Sequence, residues 1–112
     1  MATFDRWDVV AVPFPYVGRL QTKRRPAVVV SGQRWLRAHG LLWVAMVTSA
    51  VHAPWPDDIP IRELDMAGLA KASMIRTAKI ATVEAGRCER LGRLAAETCR
   101  RVEAALRDGL AA

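Results

Sequence analysis

The chain has 112 residues, 52 % of them hydrophobic, and a formal net charge of +6. This length fits one domain that buries roughly two-thirds of its unfolded surface, and the hydrophobic fraction argues against a disordered chain. The longest apolar run, residues 41–47, is too short to cross a bilayer, and the N-terminus MATFDRWD contains no apolar signal region. The composition predicts one soluble, cytoplasmic domain over residues 1–112, without a membrane partner.

The positive charge is concentrated in the N-terminal half. Residues 1–50 carry seven Lys and Arg against two Asp and Glu, whereas residues 51–88 carry five of each. This distribution favours a localised site for an anionic partner, such as RNA, DNA or an acidic protein segment. Fourteen of the 17 cations are Arg, whose planar fork suits phosphate groups, although a GC-rich genome would also favour Arg over Lys.

Five strands are predicted in chain order from β-branched runs and the prolines that flank them. The first covers residues 8–13 and is followed by a loop, FPYVGRLQTKR; the second begins at Pro26 and ends at residue 30. The segment 31–40 is predicted to be turn-like, with a short helical turn as the alternative. The third strand, residues 41–49, is continuously apolar, so it should be buried on both faces with Trp43 in the core. A short strand over IPIREL, residues 59–64, and a longer one over 73–83 complete the set.

The hydrophobic period changes from strand-like to helical at Cys88. The residues at helical spacing are Leu91, Leu94, Ala95, Thr98, Val102, Ala105 and Leu106. They predict one amphipathic helix over about residues 89–108, ended near Gly109. Strands over about residues 8–83 followed by this helix predict an α+β fold that is mainly β, in which the helix either covers the sheet or contacts a second copy.

The cysteines and histidines do not indicate a metal or cofactor site. Cys88 and Cys99 form no CxxC pair and have no histidine at ligand spacing, so neither a zinc site nor a disulfide framework is expected. His39 and His52 lie in loop-like stretches and are expected to be ordinary surface residues. We therefore expect no metal and no cofactor.

Three segments, taken in order, resemble a known family. DVVAVPFPY with KRRPAVVVS after the loop, then VAMVTS, then GLAKASMIRTAKIATV, are similar to MazF/PemK toxins of type II toxin–antitoxin systems over roughly residues 6–110. The resemblance implies an SH3-like small barrel of short antiparallel strands with a C-terminal helix, a homodimer and a cognate antitoxin. It also implies a metal-independent, ribosome-independent endoribonuclease that cleaves single-stranded RNA through 2′-hydroxyl attack, leaving 2′,3′-cyclic phosphate and 5′-hydroxyl ends.

The resemblance assigns catalytic roles to three residues. Arg25, directly before Pro26, matches the family's catalytic arginine, and Thr48, near the end of the third strand, matches its catalytic threonine. Arg76 falls where some members have a further active-site arginine. A residue before proline is restricted to extended backbone, so the Arg25 side chain would have a fixed root. Because arginine stays protonated near pH 7, we expect Arg25 to stabilise charge on the phosphate rather than act as a base.

A second group of residues is expected to bind RNA outside the reacting centre. These residues are Arg19, Lys23, Arg24, Ser49 and Tyr16. The cations would track the phosphate backbone without reading sequence, and the tyrosine would stack on a base. In a regular strand Ser49 faces away from Thr48, and Lys79 shares a face with Arg76 only if a bulge intervenes.

Two positions depart from the family pattern and leave other functions open. Trp7 stands where many members have glycine, and Ala78 stands where many have an aspartate. The missing carboxylate allows a decayed toxin that binds RNA or antitoxin without cleaving. The other alternative is a non-enzymatic, gyrase-binding toxin similar to CcdB, because CcdB shares the barrel and fold alone does not decide function.

Overall fold

The computed structural model of the chain describes residues 3–15 and 22–111, and for residues 14, 15, 22 and 23 it describes the backbone only. The elements are β1 (Asp8–Pro15), β2 (Thr22–Val29), α1 (Gln33–His39), β3 (Leu41–Ser49), β4 (Ile59–Ile61), α2 (Leu64–Ala67), β5 (Ser73–Glu84), a 3₁₀ turn (Ala85–Arg87), β6 (Glu89–Arg93) and α3 (Ala96–Leu110). Within the described ranges, every helix is too short or too polar to cross a membrane.

The strands form one antiparallel sheet in the order β4-β5-β3-β2-β1-β6. The sheet curls into a half-barrel, and α3 packs against β4 and β5. This arrangement confirms the predicted mainly β, SH3-like architecture with a C-terminal helix. The predicted loop FPYVGRLQTKR is shorter than expected, because β1 continues to Pro15 and β2 begins at Thr22; the rest of that segment lies outside the described residues.

Alternating side chains give the sheet two apolar faces. The α3 face is buried under the C-terminal helix and carries Val9, Val28, Ala45, Val47 and Ile75. The α1 face packs against Phe4 and against Leu36 of α1, and it carries Val10, Val12, Ala27, Val44 and Met46. Because β3 contributes buried residues to both faces, the prediction that this strand is buried on both sides is confirmed.

The predicted start of the C-terminal helix at residue 89 is wrong. Residues 89–93 form β6, whose Gly92 pairs with Val9 of β1, and the helix begins at Ala96. The start is fixed by Glu63, whose carboxylate accepts hydrogen bonds from the Ala95 amide at 2.7 Å and the Thr98 hydroxyl at 3.1 Å. A helix needs partners for its first N–H groups, and here the partner comes from a distant segment.

Trp43 is 42 % exposed, so the prediction that it lies in the core is also wrong. Alternation along β3 places it on the α3 face with Ala45. Its ring meets that of Trp35 in α1, with centroids 4.5 Å apart, and lines an open groove beside α3. A continuous apolar run does not reveal where the covering helix ends.

Close backbone contact joins β6 to α2. A Cβ at Gly92 would lie 2.2 Å from the carbonyl oxygen of Met66 and 2.5 Å from the carbonyl carbon of Ala67. Gly68, at φ +72°, faces Leu91 in the same contact, where an added Cβ would lie 2.1 Å from a carbonyl oxygen. Only glycine lets the two backbones approach this closely.

We expect Gly92→Ala to lower the free energy of unfolding by about 1–3 kcal/mol, the usual cost of overpacking a filled site. Urea denaturation near pH 7 measures this change. Gly86→Ala is the matched control, since a Cβ there meets no atom within 4 Å. Equal stability of Gly92→Ala and the unsubstituted chain would contradict the close approach.

Candidate functional site

Strands β2 and β3 are paired over only part of their length. The described register joins Ala27 to Met46, Val28 to Ala45 and Val29 to Val44, and it stops before Pro26. Proline has no amide proton to donate to a ladder, so the pairing ends where the proline stands. Beyond this point β2 stays paired with β1, and β3 stays paired with β5. The β2–β3 ladder therefore ends between two strand ends that are each held from the outer side, and we call this interrupted end of the ladder the opening.

Arg25 and Thr48 flank this opening. If the β2–β3 register is continued by two residues, Arg25 lies opposite Thr48. Arg25 shares the α1 face with its partner Val12 on β1, and alternation along β3 places Thr48 on the same face as Met46. Arg25 is exposed and Thr48 is half-buried, so both reach solvent. The fold thus places Arg25 and Thr48, two of the three residues predicted to be catalytic, on the same face at the end of the same ladder.

Arg76 lies on the same face, but its guanidinium contacts a loop of the protein. Its partner across the sheet is Met46, which makes it a diagonal neighbour of Thr48 at about 7–8 Å between Cα atoms. Its Nη2 donates to Oδ2 of Asp58 at 2.9 Å and to the carbonyl of Ala53 at 3.3 Å, and its Nε donates to Oδ1 of Asp58 at 3.3 Å. These bonds fasten the loop 50–58 to β5.

The Asp58 carboxylate is presented by a tight turn at residues 55–58. The amide of Asp58 donates to the carbonyl of Trp55 at 3.2 Å, Pro56 is the second residue, and Asp57 is the third with φ +69°. Proline at the second position and positive φ at the third are features of a type II turn. The Trp55 amide in turn donates to Oδ2 of Asp58 at 2.8 Å, which locks the turn to its own side chain.

The pair formed by Asp58 and Arg76 is buried. The Asp58 side chain is only 2 % exposed. Burial acts to raise the pKa of this carboxyl, but the hydrogen bonds from Arg76 and the Trp55 amide, with the charge of Arg76, outweigh burial and hold the pKa below its ordinary value. Asp58 is therefore ionised near pH 7.

The indole of Trp55 completes this arrangement. The central carbon of the Arg76 guanidinium lies 3.9 Å from the indole centroid, so the cation covers one side of the ring. Trp55 nevertheless remains 47 % exposed. Trp55, Asp58 and Arg76 thus contact one another and hold the loop against β5.

The residues predicted to bind RNA are distributed over more than one face. Lys23 and Arg24 lie in β2 rather than in a loop. Arg24 points away from the Arg25 face, and its Nη1 lies 3.4 Å from Oε2 of Glu89, a pair exposed to solvent. Ser49 points away from Thr48, and its hydroxyl accepts from the Val51 amide at 3.3 Å. Tyr16 and Arg19 lie outside the described residues.

A bulge in β5 separates Arg76 from Lys79. Ala45 pairs with Ile80 and the next residue, Met46, pairs with Arg76, so Thr77, Ala78 and Lys79 have no partner on β3. Ala78 brings no carboxylate to Arg76, and Asp58 brings one from another element. Sequence reasoning missed Asp58 and Trp55 as partners of Arg76. The Trp-Pro-Asp-Asp order was a turn signal, but it did not identify an arginine 18 residues later.

The described residues offer little for a metal or a thiol nucleophile. Among them, His, Cys, Asp and Glu side chains form no group of three that could hold a metal ion. Cys88 and Cys99 are free, and burial raises the pKa of each thiol, which disfavours the reactive thiolate.

Comparison with known proteins gives a family and a set of similar folds. The family described as "PemK-like, MazF-like toxin of type II toxin-antitoxin system" matches residues 5–110. No curated protein matches the chain. Among solved structures, MazF from Deinococcus radiodurans has 24 % identity and a TM-score of 0.76, with 98 % of each chain covered.

Two further similar structures are complexes. MazE–MazF from the same organism has 20 % identity and a TM-score of 0.74, over 98 % of this chain and 97 % of that one. An endoribonuclease in complex with its cognate antitoxin, from a mycobacterial species, has 17 % identity and a TM-score of 0.73, over 98 % and 95 %. At these identities the likeness establishes the fold.

We expect Asp58→Asn to lower the free energy of unfolding near pH 7 by about 1.5–3 kcal/mol, the range for hydrogen bonds to charged groups. Because the folded pKa of Asp58 is depressed, its contribution is present above the unfolded pKa and is lost as pH falls through the folded value. The difference between the two proteins should therefore shrink below about pH 4.

Urea denaturation at pH values from 7 down to 3 measures this difference. Asp57→Asn is the matched control, because it removes the neighbouring carboxylate and asparagine tolerates positive φ. A stability difference between Asp58→Asn and the unsubstituted chain that does not change with pH would contradict the assigned ionisation.

Proposed function

We propose, since the chain belongs to the PemK-like, MazF-like toxins of type II toxin–antitoxin systems, that it is an endoribonuclease acting on single-stranded RNA. The observation that carries the proposal is the opening between β2 and β3, with a guanidinium on one side and a hydroxyl on the other. A phosphate in this opening can meet Arg25 and Thr48 at once.

The chemistry that fits this pair uses the substrate's own nucleophile. The 2′-hydroxyl loses its proton and attacks the adjacent phosphorus, a bond forms from O2′ to phosphorus, and the bond from phosphorus to O5′ breaks. The leaving O5′ takes up a proton. The products are a 2′,3′-cyclic phosphate and a 5′-hydroxyl, and no metal takes part in this scheme.

Arg25 is the group that stabilises the charge developing on the phosphate oxygens. Its guanidinium can donate two parallel charge-assisted hydrogen bonds to those oxygens. Pro26 restricts the backbone before it, and pairing with Val12 holds the strand, so the donor is preorganised. Such a donor is typically worth about 2.7–4 kcal/mol. Thr48 donates its hydroxyl to a phosphate oxygen or accepts from the 2′-hydroxyl.

Arg76 has a positioning role in this proposal. Its Nε and Nη2 are committed to the loop, and the neutralising carboxylate of Asp58 is buried against it. It therefore holds the loop 50–58 beside Thr48, and the Asp58 carboxylate offsets much of its charge at the phosphate site. Lys23 and Arg19 are proposed to follow the RNA backbone farther from the reacting centre. Arg24 would meet the RNA only from the opposite face, where it lies beside Glu89.

The protein partners in this proposal are a second copy and an antitoxin. The solved MazE–MazF complex and the mycobacterial toxin–antitoxin complex support the antitoxin. We assign the homodimer to the apolar groove of about 560 Å³ between β3, β5 and α3. Trp43, Ile80 and Leu110 are exposed there, and a contiguous exposed apolar patch marks an interaction surface. In a twofold dimer the same patch would meet itself.

Arg25→Ala is expected to lower kcat/KM for single-stranded RNA in EDTA by about 10²–10³-fold, the usual loss for one oxyanion donor. Thr48→Val keeps the side-chain shape and removes the hydroxyl, and it should also lower kcat. Arg25→Lys should recover little, because lysine lacks the two-pronged fork. Gel assays give the rates, and mass spectrometry identifies the cyclic phosphate and 5′-hydroxyl ends.

Arg101→Ala, which removes an exposed cation of α3, is the matched control for the loss of charge. Cleavage that needs added metal, or that survives Arg25→Ala, would overturn the mechanism. RNA binding by the unsubstituted protein without any cleavage would leave a toxin that has lost its catalytic step.

Ile80→Asp is expected to convert the homodimer to monomers at micromolar concentration, because each interface would bury an unpaired charge. Sedimentation velocity measures the mass. Met66→Asp places the same charge on a residue of nearly equal exposure, 46 % against 45 %, and should leave the dimer intact. If Ile80→Asp remains a dimer, the assignment of the interface to this groove is wrong.

A further inference from the structure

Trp55 is an exposed tryptophan that is held by contacts to both its backbone and its ring. Its backbone lies in the turn at 55–58, with hydrogen bonds of 3.2 Å and 2.8 Å to Asp58. The Arg76 guanidinium covers one side of the indole at 3.9 Å, and Asp58 fixes that guanidinium in turn. Nearly half of the Trp55 surface remains accessible. The fold therefore presents a flat aromatic surface whose orientation is set before any ligand arrives.

This surface lies beside the opening between β2 and β3. The ring rests on Arg76, which lies on the α1 face diagonal to Thr48, about 7–8 Å away between Cα atoms. Trp43 is almost as exposed, but it lies on the α3 face and contacts Trp35. Of these two tryptophans, Trp55 alone can meet a ligand whose phosphate lies between Arg25 and Thr48.

Single-stranded RNA offers the partner that suits such a surface. Its bases are unstacked and can lie flat on an aromatic side chain, whereas its phosphates need cations. A ring already fixed in place loses little conformational entropy when a base stacks on it. Because the ring rests on Arg76, a diagonal neighbour of Thr48, the base of the nucleotide at the cleaved bond, or of its neighbour, is the one expected to meet it.

We infer that Trp55 is a stacking platform for one nucleobase next to the scissile phosphate, and that Asp58 and Arg76 position it. This inference rests on the proposed function and adds a binding residue to it. The platform tolerates any base, since every base has a flat face. It therefore contributes affinity and register along the strand rather than sequence choice.

The first test measures binding without cleavage. The ligand is a short fluorescein-labelled RNA with 2′-fluoro sugars, which lack the attacking hydroxyl, and anisotropy gives Kd. Trp55→Ala should weaken binding roughly 5- to 150-fold, which corresponds to about 1–3 kcal/mol. Trp55→Phe keeps a flat ring and should recover most of the affinity. Val51→Ala, at an 87 % exposed position in the same loop, should bind like the unsubstituted protein.

The second test identifies the stacked base by comparing the unsubstituted protein with Trp55→Ala. An abasic site is placed at each position of the RNA in turn. One position should weaken binding to the unsubstituted protein and have no effect on Trp55→Ala, because the same contact is already lost. Abasic sites that weaken neither protein, or that weaken both equally at every position, overturn the inference.

The outcomes also separate this inference from the proposed function. Cleavage by the unsubstituted protein with an unchanged KM in Trp55→Ala overturns the platform and leaves the nuclease in place. Binding that depends on Trp55, without any cleavage, supports the stacking platform and contradicts the proposed endoribonuclease activity. Loss of antitoxin binding in Trp55→Ala, with RNA affinity unchanged, overturns the platform and assigns the exposed ring to the protein partner.

Discussion

The missing amide proton of Pro26 is the constraint on which the candidate site depends. A sheet whose strands pair fully has no room for a ligand within it, because every neighbour is about 4.8 Å away and hydrogen-bonded. Here the β2–β3 ladder stops at Ala27 and Met46, although both strands continue. Each remaining strand end keeps one partner, β1 or β5, so the opening has rigid walls. Arg25 and Thr48 therefore lie on strand ends that are not paired with each other but are each held by a neighbouring strand.

The loop 50–58, which lies beside Thr48, depends on a buried ion pair between Asp58 and Arg76. Burying two charges costs desolvation energy that their attraction only partly returns, so a buried pair is weak evidence for stability. The pair does favour the observed geometry, because a loop conformation that carried Asp58 away would leave the buried Arg76 guanidinium without its carboxylate. The turn at 55–58, the guanidinium and the indole are consequently fixed together. A loop of nine residues, 50–58, is thereby given one conformation beside Thr48.

Much of the fold could be predicted from local patterns. The continuous apolar run of β3 and the β-branched residues of β1 and β5 indicated strands, and the helical spacing over about residues 89–108 indicated the C-terminal helix. The errors came from distant contacts. Leu91 and Leu94 fit a helical period, yet pairing with β1 and the contact of Gly92 with α2 make residues 89–93 a strand. Similarly, Arg25 and Thr48 follow from motifs, whereas the partner of Arg76 lies in a loop that no periodicity links to it.

The two departures from the family pattern have different physical meanings. Trp7 occupies a position with φ +78°, which glycine adopts freely and other residues adopt at a cost of roughly 1–2 kcal/mol. Its amide donates to Val29 at 2.7 Å, its carbonyl accepts from Leu94 at 3.1 Å, and its ring stacks on Arg6 and packs against the α3-face core. The indole therefore offsets a strain that a smaller side chain would retain without compensation.

Ala78 is a different case. At this position the chain lacks a negative charge, whereas at Trp7 the question is the backbone conformation. A carboxylate acts on a guanidinium through distance and burial, and neither depends on which element supplies it. Asp58 reaches Arg76 at 2.9 Å from the β3–β4 loop, on a turn that its own side chain closes. The absence of an acidic residue at position 78 is thus poor evidence for a decayed site, since the structure supplies an acidic partner to the same arginine from another direction.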